Sequence, residues 1–371
     1  MAFSAEETYF AVLRSALWRT ALPDDMDGVP FAEVLLLAQH QGTGALVAER
    51  LLSCGSLPEE MRMRCKAVCA RGMMAQEEQR AVLRTSLKAL ESGGITPVLL
   101  KGLGLAHYYP KPYLRNCGDV DIYVGKEHYH TGAKLLRETF PDVPRFETEE
   151  EYFKHYNLNV GTTAVEMHRV TKIFMHPKDD KLYDALEREA LQKKYVHYAC
   201  GEDEWNEPEG RFNVLFVFVH SWEHYVTESA NIRQLCDLAL LVSHHQDGLE
   251  EYLRENLTKL HLRHAWELYA YLMVKYIGLP KAQCPLYTES CAARAEQLLA
   301  DILGGRELCP APEHPAPKNV ILRKLYTLRQ RIATAREIGK VEPHYARHMV
   351  VTAFAQSWER FKKGENTRKW E

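Results

Sequence analysis

Two aspartates stand one residue apart in the segment RNCGDVDIYVG. The apolar residues Val120 and Ile122 alternate with Asp119 and Asp121, which predicts a β-strand with both aspartates on one face. Same-face neighbours are separated by roughly 7 Å at the backbone, so both carboxylates can reach one cation. Like charges so placed repel unless a cation or basic group offsets them. The pair therefore fits a Mg²⁺–nucleotide site, and it fits equally a strand end whose aspartates face water.

The flanking residues supply further groups that phosphoryl transfer uses. ITPVLL predicts a short strand, followed by Lys101 and Gly102 at a turn and then by a helix start, where phosphate can bind. Downstream, AVEMHRV predicts a strand that carries Glu166 and His168 on one face. A two-metal site needs more than two carboxylates, and Glu166 is the candidate for the third. We interpret His168 as a hydrogen-bonding partner of the site rather than a ligand. Arg115 is either a partner of the carboxylates or a phosphate, or an exposed loop arginine.

The Lys-Gly turn, the Tyr-rich helix after it, LRNCGDVDIYV and VEMH together resemble the uncharacterised nucleotidyltransferase family of the DNA polymerase β-like superfamily. HSWEHYVTESANIRQLCDLALL matches that family's His-rich helix followed by an Arg and an Asp, so the resemblance covers most of residues 1 to about 245. It implies Mg²⁺- or Mn²⁺-dependent transfer of a nucleoside monophosphate from an NTP such as ATP to an unknown acceptor. By position, it makes Asp119, Asp121 and Glu166 the catalytic metal ligands and places Lys101 and Gly102 at the triphosphate.

The chain departs from the wider superfamily at two points. Leu103 follows Gly102 where a serine is usual, and the loop that leads to Asp119 is long. A non-catalytic nucleotide-binding or scaffold protein with the same fold is therefore the alternative function that the sequence leaves open.

A second motif, HSWEH, begins at His220 and has the H-x-x-E-H spacing of some zinc peptidases. On a helix, His220 and His224 lie one turn apart, and Glu223 adjoins them. No recognisable downstream motif supplies a further ligand, so a zinc peptidase is the third and least favoured function. His220, His224 and Asp237 remain candidates for lining a substrate cleft. Arg233 and Asp237 are predicted to form an ion pair across one helical turn.

The elements that would hold these residues fall into three regions. Apolar residues at helical spacing predict an N-terminal helical region over residues 1–92 and a C-terminal one over 176–371. Between them, residues 93–175 are predicted to form the α/β nucleotidyltransferase core. The predicted class is α+β, with helices on one face of a small mixed β-sheet. The segment GEDEWNEPEG is interpreted as an acidic loop within the second helical region.

Composition limits the partners and the location. The 371 residues carry 47 Lys plus Arg and 50 Asp plus Glu, so overall charge does not indicate nucleic-acid binding. Residues 318–371 carry 13 basic and 5 acidic residues, which we interpret as a solvated helical face. The start MAFSAEETYF does not resemble a secretory signal, and NVLFVFV is too short to cross a bilayer. We expect a cytoplasmic protein with no membrane partner, reduced thiols, and an NTP as substrate.

Overall fold

In the computed structural model, four helices precede the first strand. They are α1 (Ala5–Trp18), α2 (Phe31–His40), α3 (Gly44–Leu51) and α4 (Glu59–Ser92). The structure describes residues 4–23, 26–143, 154–174, 176–200, 203–306, 320–340, 342–348 and 351. Ser4 starts α1 with a capping box, because its hydroxyl accepts from the Glu7 amide while the Glu7 carboxylate accepts from the Ser4 amide. The helical N-terminal region of the predicted fold class is confirmed.

Six strands in the described residues form one mixed sheet in the order β3-β4-β2-β1-β6-β5. Their bounds are β1 (Val98–Leu99), β2 (Asp119–Tyr123), β3 (His155–Val160), β4 (Thr163–His168), β5 (Val196–Cys200) and β6 (Asp203–Glu207). Strand β2 runs parallel to β4 and antiparallel to β1, which in turn pairs in parallel with β6. The predicted hairpin is confirmed as β3 and β4, and its turn contains Gly161 with a φ of 60°.

The acidic loop predicted over residues 201–210 is wrong where β6 lies. Asp203, Trp205 and Glu207 point inward from β6 and are buried, while Glu204 is exposed. The sequence does not show the usual strand pattern of alternating apolar and polar residues here, because two of the three buried residues of β6 are acidic. Asp203 can be buried because it forms ion pairs with two arginines of α4, which is distant in the sequence. The sheet thus takes its last two strands from beyond residue 175, and the division at residues 93–175 stays a prediction.

Two helices cover one face of the sheet. They are α4 and α6 (Gly125–Thr139), and between β1 and β2 lies the short α5 (Leu103–Ala106). Val120 and Ile122 of β2 are fully buried in the core shared with α4 and α6. Gly132 lets α6 approach closely, because a Cβ there would lie 2.7 Å from the Met167 sulfur. The opposite face of β2 carries Asp119 and Asp121 together with Tyr123, which belongs to the larger apolar core formed by the other helices. The predicted α+β class with helices on one face is confirmed.

The remaining helices form a second core that includes the N-terminal helices. They are α7 (Pro177–Arg188), α8 (Gly210–Thr227), α9 (Ile232–His244), α10 (Leu249–Lys259), α11 (Arg263–Leu272), α12 (Ala292–Leu303) and α13 (Val320–Gly339), with π-helical turns at Glu189–Lys193 and Met273–Ile277 and 3₁₀ turns at Pro112–Leu114 and Lys281–Gln283. The Trp18 indole of α1 donates to the Ile277 carbonyl at 2.7 Å, which joins the two ends of the helical part. Over the described ranges, the helices are each too short or too polar to cross a membrane.

Candidate active site

The structure brings together the three carboxylates predicted as metal ligands. Asp119 and Asp121 lie on one face of β2, and the parallel register places Glu166 of β4 beside Asp121. Carboxylate oxygens of all three residues lie within 4.8 Å of one another. Asp121 is completely buried, whereas Asp119 and Glu166 are partly exposed. The group of three carboxylates is therefore inaccessible to solvent at Asp121 and accessible at Asp119 and Glu166.

Lys101 and Gly102 bring the turn after β1 against these carboxylates. Gly102 has a φ of 66°, and a Cβ at this position would lie 2.9 Å from the Asp119 carbonyl oxygen. Glycine therefore permits the close approach of the turn to β2. The Lys101 ammonium lies 3.2 Å from an oxygen of Asp119 and 3.2 Å from an oxygen of Asp121. Burial opposes its charge, but the nearby carboxylates outweigh burial and raise the pKa of Lys101.

His168 connects two of the carboxylates. Its Nε2 lies 2.9 Å from Asp121 Oδ1 and 3.5 Å from Glu166 Oε2. Burial alone would lower the pKa of His168, yet the hydrogen bonds to the two carboxylates raise it. Burial likewise favours the neutral form of Glu166, but the His168 hydrogen bond and the charges of His168 and Lys101 together outweigh burial and lower the pKa of Glu166 to about 2. The pKa of Asp121 is lowered too, against burial, by Lys101 and His168. Asp121 and Glu166 are thus ionised at neutral pH, the form that binds cations.

One carboxylate oxygen of the group is unpaired within the part of the chain that the structure describes. Asp121 Oδ1 contacts both Lys101 and His168, whereas Asp121 Oδ2 is buried and has no hydrogen-bond partner among the described residues. A buried carboxylate oxygen left in this state is costly. With Asp119 and Glu166, the group holds three carboxylates against one lysine and one histidine. A hard divalent cation satisfies both the excess charge and the orphaned oxygen, and the residues fit such an ion.

His155 is a member of the site that the sequence reasoning missed. Its Nδ1 lies 3.8 Å from Glu166 Oε2, and its ring centroid is 5.2 Å from that of His168. Donor atoms of His155, Glu166 and His168 also lie within 4.8 Å of one another, so Glu166 belongs to two potential ligand groups. The predicted hairpin contained the information needed to find His155. Pairing outward from a turn at Gly161 and Thr162 places His155 opposite His168.

Arg115 and Asp237 lie apart from the acidic group and bind each other. The Arg115 guanidinium donates from Nε to Asp237 Oδ1 at 2.8 Å and from Nη2 to Asp237 Oδ2 at 2.7 Å. The Tyr109 hydroxyl donates to Asp237 Oδ1 at 2.6 Å. The two charged side chains are at most 5% exposed. They fasten the loop before β2 to α9, so neither is free to contact a phosphate or to line an open cleft.

The predicted ion pair between Arg233 and Asp237 is wrong. Arg233 donates instead to the Asn116 carbonyl at 2.8 Å, while Arg115 takes both oxygens of Asp237. Helical spacing alone favoured the local partner. Arg115 binds the Asp237 carboxylate through two parallel hydrogen bonds, and the Tyr109 hydroxyl adds a third, so the carboxylate is already satisfied without Arg233.

The HSWEH segment of α8 has the geometry of a packed helix rather than a zinc site. His220 Nε2 and His224 Nε2 lie 3.0 Å apart and share a hydrogen bond. Glu223 pairs with Lys154 at 3.2 Å and with Lys172 at 2.5 Å. In the part of the chain that the structure describes, neither histidine belongs to a group of three metal-ligating side chains. The geometry therefore does not favour the zinc-peptidase interpretation.

His220 of α8 is close enough to Lys101 of the acidic site for the lysine charge to affect its pKa. Burial, followed by the positive charge of Lys101 and then His224, holds the pKa of His220 well below its usual value. His220 is therefore neutral at pH 7. Its position near Lys101 agrees with a cleft-lining role for His220 and His224, which stays a prediction.

Residues 27–278 match the family described as uncharacterised nucleotidyltransferase. The chain belongs to this family. The matched range contains β1 to β6 and all the candidate site residues, which connects the family to the acidic group described above. Family membership supports a general nucleotidyltransferase activity and, with it, an NTP substrate and a divalent metal ion. No curated protein matches the chain.

Proposed function

We propose that this nucleotidyltransferase moves a nucleoside monophosphate from an NTP to an acceptor, with Mg²⁺ or Mn²⁺ held by Asp119, Asp121 and Glu166. The observation that carries the proposal is the convergence of these carboxylates within 4.8 Å around a buried Asp121 oxygen that has no hydrogen-bond partner in the described structure. Bound divalent cations would neutralise the triphosphate and stabilise charge on the attacking and leaving oxygens.

Two neighbouring residues have different proposed roles: His168 orients the carboxylates, and Lys101 supplies positive charge. His168 holds Asp121 and Glu166 in fixed orientations through its Nε2. Lys101 remains an ammonium and, with Gly102, is proposed to meet the triphosphate, because a fixed positive charge there stabilises developing negative charge. Arg115 has no such role in the proposal, since Asp237 occupies its guanidinium.

Glu166 is proposed to act on the acceptor side of the reacting phosphate. It lies between Asp121 on the neighbouring strand β2 and His155 on the outer strand β3. Lys101 contacts Asp119 and Asp121, His168 connects Asp121 to Glu166, and His155 lies beside Glu166. This division supports separate tasks, with the aspartates at the nucleotide and Glu166 at the acceptor hydroxyl.

A non-catalytic nucleotide-binding protein is the second candidate function. The Lys101 ammonium already compensates part of the charge of Asp119 and Asp121, at 3.2 Å from each. A member of the family in which this lysine replaces a metal ion would keep the fold and bind a nucleotide without transferring it.

The test is a search for transfer. Purified protein is incubated with each α-³²P-labelled NTP, Mg²⁺ or Mn²⁺, and a cell extract as the source of acceptor, and labelled products are separated. Asp119→Asn/Asp121→Asn should remove the labelled product. The double variant Asp247→Asn/Glu251→Gln makes the same charge change at two exposed positions and should retain it. A product that persists in the first variant would refute the proposed site, and an absence of product from the wild-type protein with every NTP would favour the second function.

A further inference from the structure

A histidine cluster lies outside the acidic site. It consists of His176 before α7, Asp179 in the first turn of α7, His261 after α10, and His344 and His348 near the C-terminus. Donor atoms of His176, His344 and His348 lie within 4.8 Å of one another, and so do those of Asp179, His261 and His344. His344 and His348 lie beyond the matched range 27–278, so the cluster is not part of the acidic site already described.

Asp179 orients two of the imidazoles. Its Oδ1 lies 2.9 Å from His176 Nδ1, and its Oδ2 lies 2.9 Å from His344 Nε2. Asp179 is only 5% exposed, so the cluster is built on a buried carboxylate. Histidines that bind a metal through one ring nitrogen commonly donate from the other to a carboxylate in this way. The arrangement leaves Nε2 of His176 and Nδ1 of His344 for a metal.

His348 completes a set of three imidazoles. It follows His344 by four residues on a helical segment, which places both side chains on one face. The ring centroids of His176 and His348 are 4.1 Å apart, and those of His344 and His348 are 4.6 Å apart. The His261 ring stacks on His344 with a centroid separation of 3.7 Å, which closes the other side. Three imidazoles grouped in this manner are typical ligands of a transition metal.

We propose that His176, His344 and His348 bind one Zn²⁺ ion and that this ion fastens the C-terminal segment to α7. Zn–N bonds of roughly 2.0–2.1 Å in a tetrahedral site place donor atoms roughly 3.3 Å apart. The donor atoms lie within 4.8 Å of one another, so the imidazoles need to close by up to about 1.5 Å. A fourth position remains for water. Imidazole nitrogens favour zinc over Mg²⁺, whereas the carboxylate group on β2 favours the opposite, so the two sites select different metals.

The experiment measures zinc binding by the full chain in an Asp119→Asn/Asp121→Asn/His155→Ala background, which disrupts both potential ligand groups of the acidic site. After chelation and dialysis, Zn²⁺ is titrated against a chromophoric chelator, and Co²⁺ is added separately to read the coordination from its visible absorption. We expect one zinc ion per chain and tetrahedral Co²⁺ bands. Adding His344→Ala/His348→Ala should weaken zinc binding by at least about 100-fold, because two of three ligands are lost.

Two further variants separate ligands from other histidines. Asp179→Asn should weaken zinc binding by roughly 10–100-fold, as expected for a residue that orients ligands. His264→Ala, at an exposed histidine of α11, and His220→Ala, in the H-x-x-E-H segment, should leave binding unchanged. His348→Ala alone, checked by circular dichroism, serves where the double variant does not fold. Zinc binding that is absent from the starting protein, or that is equal in folded His348→Ala, would overturn the proposed site.

Limited trypsin digestion tests the fastening role. Zn²⁺ should slow cleavage after Lys340 and Arg347 at least several-fold in the protein with an intact cluster, and it should have no effect in the His348→Ala variant. Cleavage that is equally fast with and without Zn²⁺ would overturn the idea that the ion holds this segment.

Discussion

Two regions of the molecule place a buried aspartate beside a cation, and they differ in how completely the charges are matched. Between the loop before β2 and α9, Arg115 satisfies both oxygens of Asp237, and Tyr109 adds a third hydrogen bond. On β2, Lys101 serves two aspartates at once, and one oxygen of Asp121 has no partner among the described residues. The matched pair is a structural anchor. The unmatched group is suited to recruit a cation from solution.

A third buried carboxylate completes the comparison. Glu187 of α7 accepts from the Thr171 backbone amide at 2.6 Å and from the Thr171 hydroxyl, but no ion pair with a cation is found for it in the part of the chain described. Burial dominates, and it raises the pKa of Glu187 to about 7 despite these hydrogen bonds. Hydrogen bonds alone therefore do not keep a buried carboxylate ionised in this protein. The low pKa of Glu166 and Asp121 depends on nearby positive charge as well as on hydrogen bonds.

The largest expected effect comes from breaking the matched pair. Asp237→Ala leaves the Arg115 guanidinium buried without its carboxylate, which costs roughly 3–5 kcal/mol of unfolding free energy. Urea denaturation measures this loss. The exposed Asp247→Ala serves as the control and should change stability by less than about 0.5 kcal/mol. A loss below about 1 kcal/mol in Asp237→Ala would show that the pair is not an anchor. Arg115→Met/Asp237→Leu removes both charges together and should be more stable than Asp237→Ala.

The second prediction concerns the unmatched group. Glu166→Gln keeps the size of the side chain and removes its charge, so turnover should fall by roughly 10²–10³-fold, the usual loss when one transition-state contact is removed. NTP affinity should change only a few-fold, because the aspartates are proposed to bind the nucleotide. This pattern marks an interaction made in the transition state. Single-turnover transfer and NTP binding are measured on the same preparation.

Two outcomes would contradict the role given to Glu166. If Glu166→Gln unfolds, the residue is a hydrogen-bonding partner that stabilises the hairpin, and a third ligand lies elsewhere. If the wild-type protein transfers nothing and both proteins bind NTP equally, the non-catalytic function is correct.

Features carried by local alternation were predictable from the sequence. Period-two patterns placed Asp119 and Asp121 on one face of β2 and Glu166 and His168 on one face of β4. In the structure the three carboxylates meet. Features that depend on partners far along the chain were not predictable. Arg115 and Asp237 are 122 residues apart, and helical spacing offered Arg233 as a nearer but incorrect partner.

Two other features were missed for the same physical reason. The inward side of β6 contains Asp203, whose burial makes sense only once Arg80 and Arg84 of α4 are placed against it. The histidine cluster joins residues from three distant segments around Asp179, so no spacing along the chain reveals it. His155 was the exception, because hairpin register alone places it opposite His168.

The third prediction concerns Glu187 and the pH dependence that it gives to the free energy of unfolding. The pKa of Glu187 is raised from an ordinary value near 4.5 to about 7, so the folded state holds its proton more tightly than the unfolded state. Its contribution is therefore fully present below about pH 4.5 and is lost as the pH rises through about 7, at a cost of about 3 kcal/mol. Relative to Glu187→Gln, the wild-type protein should lose this amount between pH 4.5 and pH 8. Urea denaturation across this range tests it, with the exposed Glu251→Gln as control. Parallel curves for wild type and Glu187→Gln would refute the raised pKa.

The smallest expected effect is the stabilisation that a metal provides at the unmatched group. A ligand that binds only the native state adds roughly 2.7 kcal/mol at one hundred times its dissociation constant, so Mg²⁺ or Mn²⁺ with an NTP should raise the melting temperature. The shift should vanish in Asp119→Asn/Asp121→Asn. It should persist in Asp247→Asn/Glu251→Gln, which loses the same charge at the surface. Asp237→Ala, although less stable, should retain the shift, because a matched pair contributes nothing to cation binding. Equal shifts in the wild type and in Asp119→Asn/Asp121→Asn would place the metal elsewhere, and loss of the shift in folded Asp237→Ala would show that the anchor and the site act as one unit.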